Sequence, residues 1–150
     1  MSRTRLASAA LLSFLFIASL NAQEKGDWRP ANETAKKITG EIFFTESKIT
    51  INFASFTIAQ IRAIEPAEAL ALFNADPGGQ GNLYRLDISA DKRFLHKNTL
   101  CGSEPAEWAI TYVTGRTMQL AFFTEPSIPK LTVDDLNGST RLCGIFTYNR

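Results

Sequence analysis

His96 is the one histidine in a chain of 150 residues, so any histidine-based acid–base chemistry has to pass through it. A general base needs an orienting carboxylate and a nucleophile within hydrogen-bond reach, and no GxSxG elbow or comparable motif supplies the nucleophile. His96 stands instead with Lys92, Arg93 and Lys97 around Phe94. It reads as an exposed loop histidine. These four basic residues form a small cluster that could face an anionic partner or a lipid headgroup; the plainer reading is a solvated loop.

Carboxylates occur as near neighbours, Glu104 with Glu107 and Asp134 with Asp135. A glycosidase sets two carboxyl groups across a cleft, and neighbouring positions in sequence neither supply nor exclude that. The run Asp134-Asp135-Leu136-Asn137-Gly138 has oxygen ligands suited to calcium, but it lacks the D-x-D-x-D-G spacing and the closing glutamate and reads as a solvated turn. Gly78, Gly79 and Gly81 suggest a phosphate cradle, yet no Gly-Lys-Ser/Thr follows and the spacing is not GxGxxG. The run is expected to be a flexible connection. Asn32-Glu33-Thr34 and Asn137-Gly138-Ser139 match the N-glycosylation pattern, which bears on a eukaryotic host alone. No catalytic, cofactor-binding or metal-binding residue is assigned, and no cofactor is expected.

The two cysteines, Cys101 and Cys143, are best read as one disulfide. With a single histidine they cannot complete a structural zinc site from Cys and His alone, and there is no CxxC redox motif. The start of the chain agrees with an oxidising destination. Arg3 and Arg5 precede an uncharged, largely apolar stretch of 15 residues from Leu6 to Leu20, an export signal that is too short to span a bilayer. Cleavage is expected after Ala22, and no cysteine nearby suggests a lipid anchor. The mature protein is then periplasmic or extracellular, with no stable membrane insertion. Two of the 16 Lys and Arg leave with residues 1–22, so 14 basic face 15 acidic side chains. Interspersed, near-neutral charge argues against a duplex nucleic-acid binder. The remaining 128 residues suit one domain: a lead-in or short helical turn over 23–37, then a single β domain over 38–150.

The elements of that domain follow from periodicity. Ile38, Gly40, Ile42 and Phe44 share one face of a possible strand, and Ile49, Ile51 and Phe53 share a face of the next. Residues 56–64 look like a third strand that changes face near Ala59 and Gln60, as a bulge would allow. Pro66 to Phe73 is a run of helix formers with proline at a first position. Tyr84, Leu86 and Ile88 mark a fourth strand, and residues 91–105 read as irregular, tied down by the disulfide. Glu107–Val113 and Thr117–Phe123 carry the strongest hairpin signal, across Thr114-Gly115-Arg116. A short extended piece at 131–133, a turn over 134–139 and a last strand over 141–148 complete the chain. This pattern predicts a mainly β fold, a small antiparallel β-barrel, lipocalin-like or inhibitor-like, with one short helix; a sandwich is the alternative.

Leu100-Cys101-Gly102 recurs as Leu142-Cys143-Gly144. Together with the signal, Trp28, the Ile38-Thr39-Gly40 opening and Tyr148, this resembles small exported bacterial proteins of unassigned function with two Leu-Cys-Gly motifs. The resemblance implies export and carries no activity to any residue. In architecture alone the chain is similar to periplasmic barrels that inhibit proteases or lysozyme or hold an apolar ligand. The mature chain has nine Phe, two Trp and three Tyr and few catalytic side chains. A non-enzymatic binding or inhibitor module, with a small apolar ligand or an envelope protein as partner, is therefore the expected function. A carboxylate-dependent hydrolase and an envelope structural or assembly component are the alternatives; the sequence does not decide the oligomeric state.

Overall fold

The computed structural model describes residues 23–150; the expected signal and its cleavage site lie outside the described residues. Nine strands form one antiparallel sheet: β1 (Gly26–Pro30), β2 (Ile42–Phe44), β3 (Lys48–Ile51), β4 (Ala54–Thr57), β5 (Ala59–Ala63), β6 (Asn82–Ile88), β7 (Ala106–Thr114), β8 (Thr117–Phe123) and β9 (Leu142–Asn149). Helices α1 (Glu33–Ile38), α2 (Pro66–Phe73) and α3 (Val133–Leu136) and a 3-10 turn at Leu95–Lys97 connect them. The order across the sheet is β4-β3-β2-β1-β9-β8-β7-β6-β5. It consists of two meanders joined where β1 pairs with β9.

The sheet curls strongly. Strands β2 and β6 are five places apart, about 24 Å in a flat sheet, yet the rings of Phe44 and Tyr84 on them lie 6.4 Å apart. Trp28, Phe44, Ile49, Ile51, Leu86, Phe122, Phe146 and Tyr148 fill the concave side. A ladder between β4 and β5 would close the ring. There is none, because these edges are successive halves of one extended run, parted by the buried Ile58, and a run of chain cannot pair with its own continuation. The sheet is mainly β as expected but is not closed into a barrel, and an open sheet or sandwich describes it. The change of face expected near Ala59 and Gln60 is this change of partner, from β3 to β6, followed by a register shift between Gln60 and Arg62.

Strands β7 and β8 are buried on both sides. Met118, Leu120 and Phe122 face the concave core, whereas Trp108, Ile110, Tyr112 and Phe123 face a second core under α2 and α3. The α2 bounds match the expected Pro66–Phe73, and Ala69, Leu72 and Phe73 are its buried face. Its first turn is pinned by Glu68, whose carboxylate accepts two hydrogen bonds of 2.8 Å from Arg62 on β5 and one of 2.8 Å from the Glu65 backbone N–H. The Arg62 hydrogen bonds are the largest influence on Glu68 and hold its carboxyl below the usual range near 4.5. A lowered folded-state value means stability that is complete above about 4.5 and is lost as pH falls through the folded value. Glu68→Gln is expected to cost about 1 kcal/mol at pH 7, since Arg62 is part exposed, and almost nothing at pH 2. Urea midpoints at the two pH values check this; an equal loss at both would remove the charge from the account.

Several local readings are corrected. Residues 23–37 are no mere lead-in: the short helical turn is α1, while β1 lies in mid-sheet and its alternation of Asp27, Trp28 and Arg29 is too brief to stand out. The strand expected from Ile38 starts at Ile42, because Asn32 caps α1 by accepting from the Ala35 N–H at 3.0 Å. Three helices are present where one was expected. The extended piece at 131–133 yields to α3, whose N-cap is Thr132, accepting from the Asp135 N–H at 3.2 Å. The glycine run is not a flexible connection: Gln80 and Val113 exchange backbone hydrogen bonds of 3.0 and 2.7 Å, and Gly79 N–H donates to the Tyr112 hydroxyl at 3.0 Å. Among the described residues no helix is long and apolar enough to cross a membrane.

Candidate functional site

Phe53 departs furthest from its expected place. Period two put it with Ile49 and Ile51 on a buried face, and both isoleucines are wholly buried. Phe53 is 98% exposed. Ile51 pairs with Ala54, so Asn52 and Phe53 are a two-residue hairpin loop, and both have positive φ, 46° and 66°. That is the type I′ pattern, which favours asparagine first and glycine second. A bulky residue in the second position is strained by about 1–2 kcal/mol, and an almost fully exposed ring has no packing to offset it.

The ring of Phe53 borders a groove of about 450 Å³ on the convex side of the sheet. Its apolar lining comes from Ile42 and Phe43 on β2, Phe53 and Leu95. Phe43 is 40% exposed because it points away from the core that Ile42 and Phe44 fill. Asp27 and Glu41 also line the groove, both exposed, and no Lys, Arg or His does. Its floor is positioned by Thr39, whose hydroxyl is hydrogen-bonded to the Tyr148 hydroxyl at 2.6 Å, both residues fully buried. Burial pushes the Tyr148 phenol up, so it stays protonated and available as a donor.

The basic cluster is only partly brought together. Arg93 and Lys97 line one broad, open depression with Asp91, Asn98 and Thr99, while Lys92 and His96 do not. Arg93 donates to the Ala90 carbonyl at 3.1 Å. His96 and Lys97 both have positive φ, 53° and 61°, in a loop anchored by the buried Phe94 and Leu100. Cys101 and Cys143 form the expected disulfide, with Cα atoms 4.8 Å apart, and it ties this loop to β9. A second basic grouping, invisible in the spacing, gathers Lys25, Arg29, Arg116 and Arg150. Here Arg150 already stacks on Trp28 at 4.1 Å, and Arg116 donates to the Arg150 carbonyl.

The paired carboxylates have separate duties. Glu104 is exposed, whereas Glu107 is half-buried and lies 3.6 Å from Arg85. Asp134 and Asp135 are both exposed in the first turn of α3, where Asp135 accepts from the Thr132 hydroxyl at 2.5 Å. Asn32 of the first glycosylation pattern is consumed by the fold: its side-chain amide donates to the Ile145 carbonyl at 2.9 Å and accepts from the Thr147 N–H at 3.1 Å. Among the described residues no three His, Cys, Asp or Glu side chains gather as a metal ion would require. No family model, curated protein or solved structure matches the chain.

Proposed function

We propose that this protein is an exported, non-enzymatic binding module on a barrel-like scaffold. Its recognition face is the groove around Phe53, and its partner is a protein segment that presents an apolar side chain beside a lysine or arginine. The observation that carries the reading is Phe53: a bulky residue held in a strained left-handed conformation and projected into water at a hairpin tip. Strain of this kind persists where it serves recognition, and exposed aromatic anchors supply much of the energy of protein interfaces. Charge selects the partner, because Glu41 and Asp27 line the groove and no basic side chain does, Asp27 standing between it and the Lys25, Arg29, Arg116 and Arg150 grouping, and a cation beside the Phe rings gains further attraction. Export is supported by the disulfide, which persists in oxidising compartments, and by the signal-like residues 1–22.

Phe53→Gly separates binding from folding. Glycine relieves the turn strain and loses some chain entropy, so this variant is expected to be more stable by about 0.5–1 kcal/mol while losing recognition. The test is an NMR titration with acetyl-Phe-Lys-Phe-amide and its counterpart acetyl-Phe-Glu-Phe-amide. The lysine peptide should shift resonances of Phe43, Thr50, Phe53 and Leu95, the glutamate peptide should not, and Phe53→Gly should abolish the response. Equal responses to both peptides, or none at these residues, would defeat the proposal.

A further inference from the structure

A second constellation lies inside the sheet and shares no lining residue with the Phe53 groove. The Glu24 side chain is buried, 5% exposed, and none of the ion pairs among the described residues includes it. Three neutral donors satisfy its carboxylate: the Asn82 amide at 2.9 Å, the Tyr84 hydroxyl and the Thr111 hydroxyl. Each donor is itself held. Gln60 donates to the Asn82 Oδ1 at 2.9 Å, which turns the amide nitrogen toward Glu24. The Asn82 backbone N–H donates to Thr111 Oγ1 at 3.2 Å, and the Thr111 hydroxyl, whose other acceptor is the more distant Asn82 carbonyl at 3.4 Å, donates to the carboxylate. Burial, and next the Glu24 charge, push the Tyr84 phenol up, so it remains a donor. Asn82, Tyr84 and Thr111 are all buried and sit on the paired strands β6 and β7. This is a rigid, preorganised cradle.

Its occupant is attached differently. Residues 23–25 precede β1 and belong to no ladder; the chain turns into the interior at Gly26, whose φ of 106° favours glycine. The segment is held by the Trp28 indole N–H donating to the Glu24 carbonyl at 2.8 Å, and by Arg150 donating to the carbonyls of Gln23 and Lys25. A void of about 50 Å³ lined by Glu24, Lys25, Thr45, Glu46, Gln60 and Tyr84 adjoins the carboxylate, and the Lys25 ammonium is paired with Glu46 at 3.9 Å.

We propose that Asn82, Tyr84 and Thr111 form a binding site for a short aliphatic carboxylate, and that Glu24 is its tethered occupant, displaceable by such a ligand. The donor set is specific for an anion with two adjacent acceptor oxygens, because three hydrogens converge on it. Absence of an ion pair to Glu24 suits exchange between one carboxylate and another, since no unpaired buried cation is left when Glu24 withdraws.

The test uses the oxidised chain with propionate and acetate as probes, and propionamide and acetamide as isosteres that lack the charge. In Glu24→Ala the cavity left is close to an acetate ion. Acetate should bind it saturably and raise its melting temperature, acetamide should not, and adding Tyr84→Phe should weaken acetate at least tenfold. If Glu24→Ala is unfolded by itself, acetate must restore the native spectrum. In the unmodified chain the reporter is the Trp28 indole N–H resonance, which should move with propionate and stay put with propionamide. Failure of acetate to act on Glu24→Ala in either form overturns the site. A Trp28 resonance indifferent to propionate overturns displacement and leaves Glu24 as a permanent structural residue.

Discussion

Removing the Cys101–Cys143 bond, by reduction or as Cys101→Ala with Cys143→Ala, is expected to lower stability by about 4 kcal/mol, the chain-entropy value for a loop of this size. The two cysteines are 42 positions apart, and the closed loop takes in β7 and β8, so the restraint acts on the two strands buried on both faces. Little native contact should be lost with it. Phe94 packs edge-on against Phe56 at 6.1 Å, and Leu100 is 5% exposed, so the loop before Cys101 keeps its own anchors. The effect should therefore fall on the unfolded state: an unchanged native spectrum, a melting temperature lower by on the order of 15 °C, and a steeper dependence on urea as the unfolded chain expands. A reduced protein as stable as the oxidised one would show that the unfolded chain is already compact across this loop. For a domain whose folding reserve is about 5–15 kcal/mol in the ordinary case, a loss of that size would confine lasting function to oxidising surroundings.

What could be read from the sequence depended on the length of the periodic signal. The β7–β8 hairpin is legible because alternation continues for seven residues on each side of a glycine turn, and α2 because Pro66 opens a run with no β-branched residue. The disulfide follows from count and context. β1 was hidden because five residues with glycine at one end and proline at the other resemble a loop more than a strand. Phe53 is misplaced by periodicity because period two continues smoothly through Ile49, Ile51 and Phe53; the signal that finds it is Asn52, a residue suited to a left-handed turn, three positions before the polar–apolar phase changes at Ser55. The groove draws on β1, β2, the β3–β4 loop and Leu95, and the Glu24 cradle joins residues 58, 60 and 87 positions away. No spacing rule reaches such distances, since side chains meet there through the curl of the sheet. The basic cluster was legible as charge, and its division was not, because His96 and Lys97 turn left-handed and split it.

Gly81→Ala is expected to have the largest effect of any single methyl group in the protein. An alanine Cβ at this position would lie 1.9 Å from the Thr111 carbonyl oxygen, more than 1 Å inside ordinary contact distance, and the obstacle is strand backbone with no rotamer to change. To admit it, β6 and β7 must part at the point where the Ile64 N–H donates to the Gly81 carbonyl at 3.0 Å and the Asn82 N–H donates to Thr111 Oγ1. Overpacking alone costs about 1–3 kcal/mol. Loss of these buried hydrogen bonds adds about 1 kcal/mol or more each, so the total should exceed about 4 kcal/mol, or the chain should fail to fold. Gly78 provides the control within the same run, since a Cβ there meets nothing within 4 Å; its φ of 106° leaves backbone strain of about 1 kcal/mol for Gly78→Ala. Urea midpoints for the two variants separate the possibilities. A wide gap places Gly81 at a close crossing of backbones, whereas two small and equal losses would mean that residues 78–81 yield, as a flexible connection does.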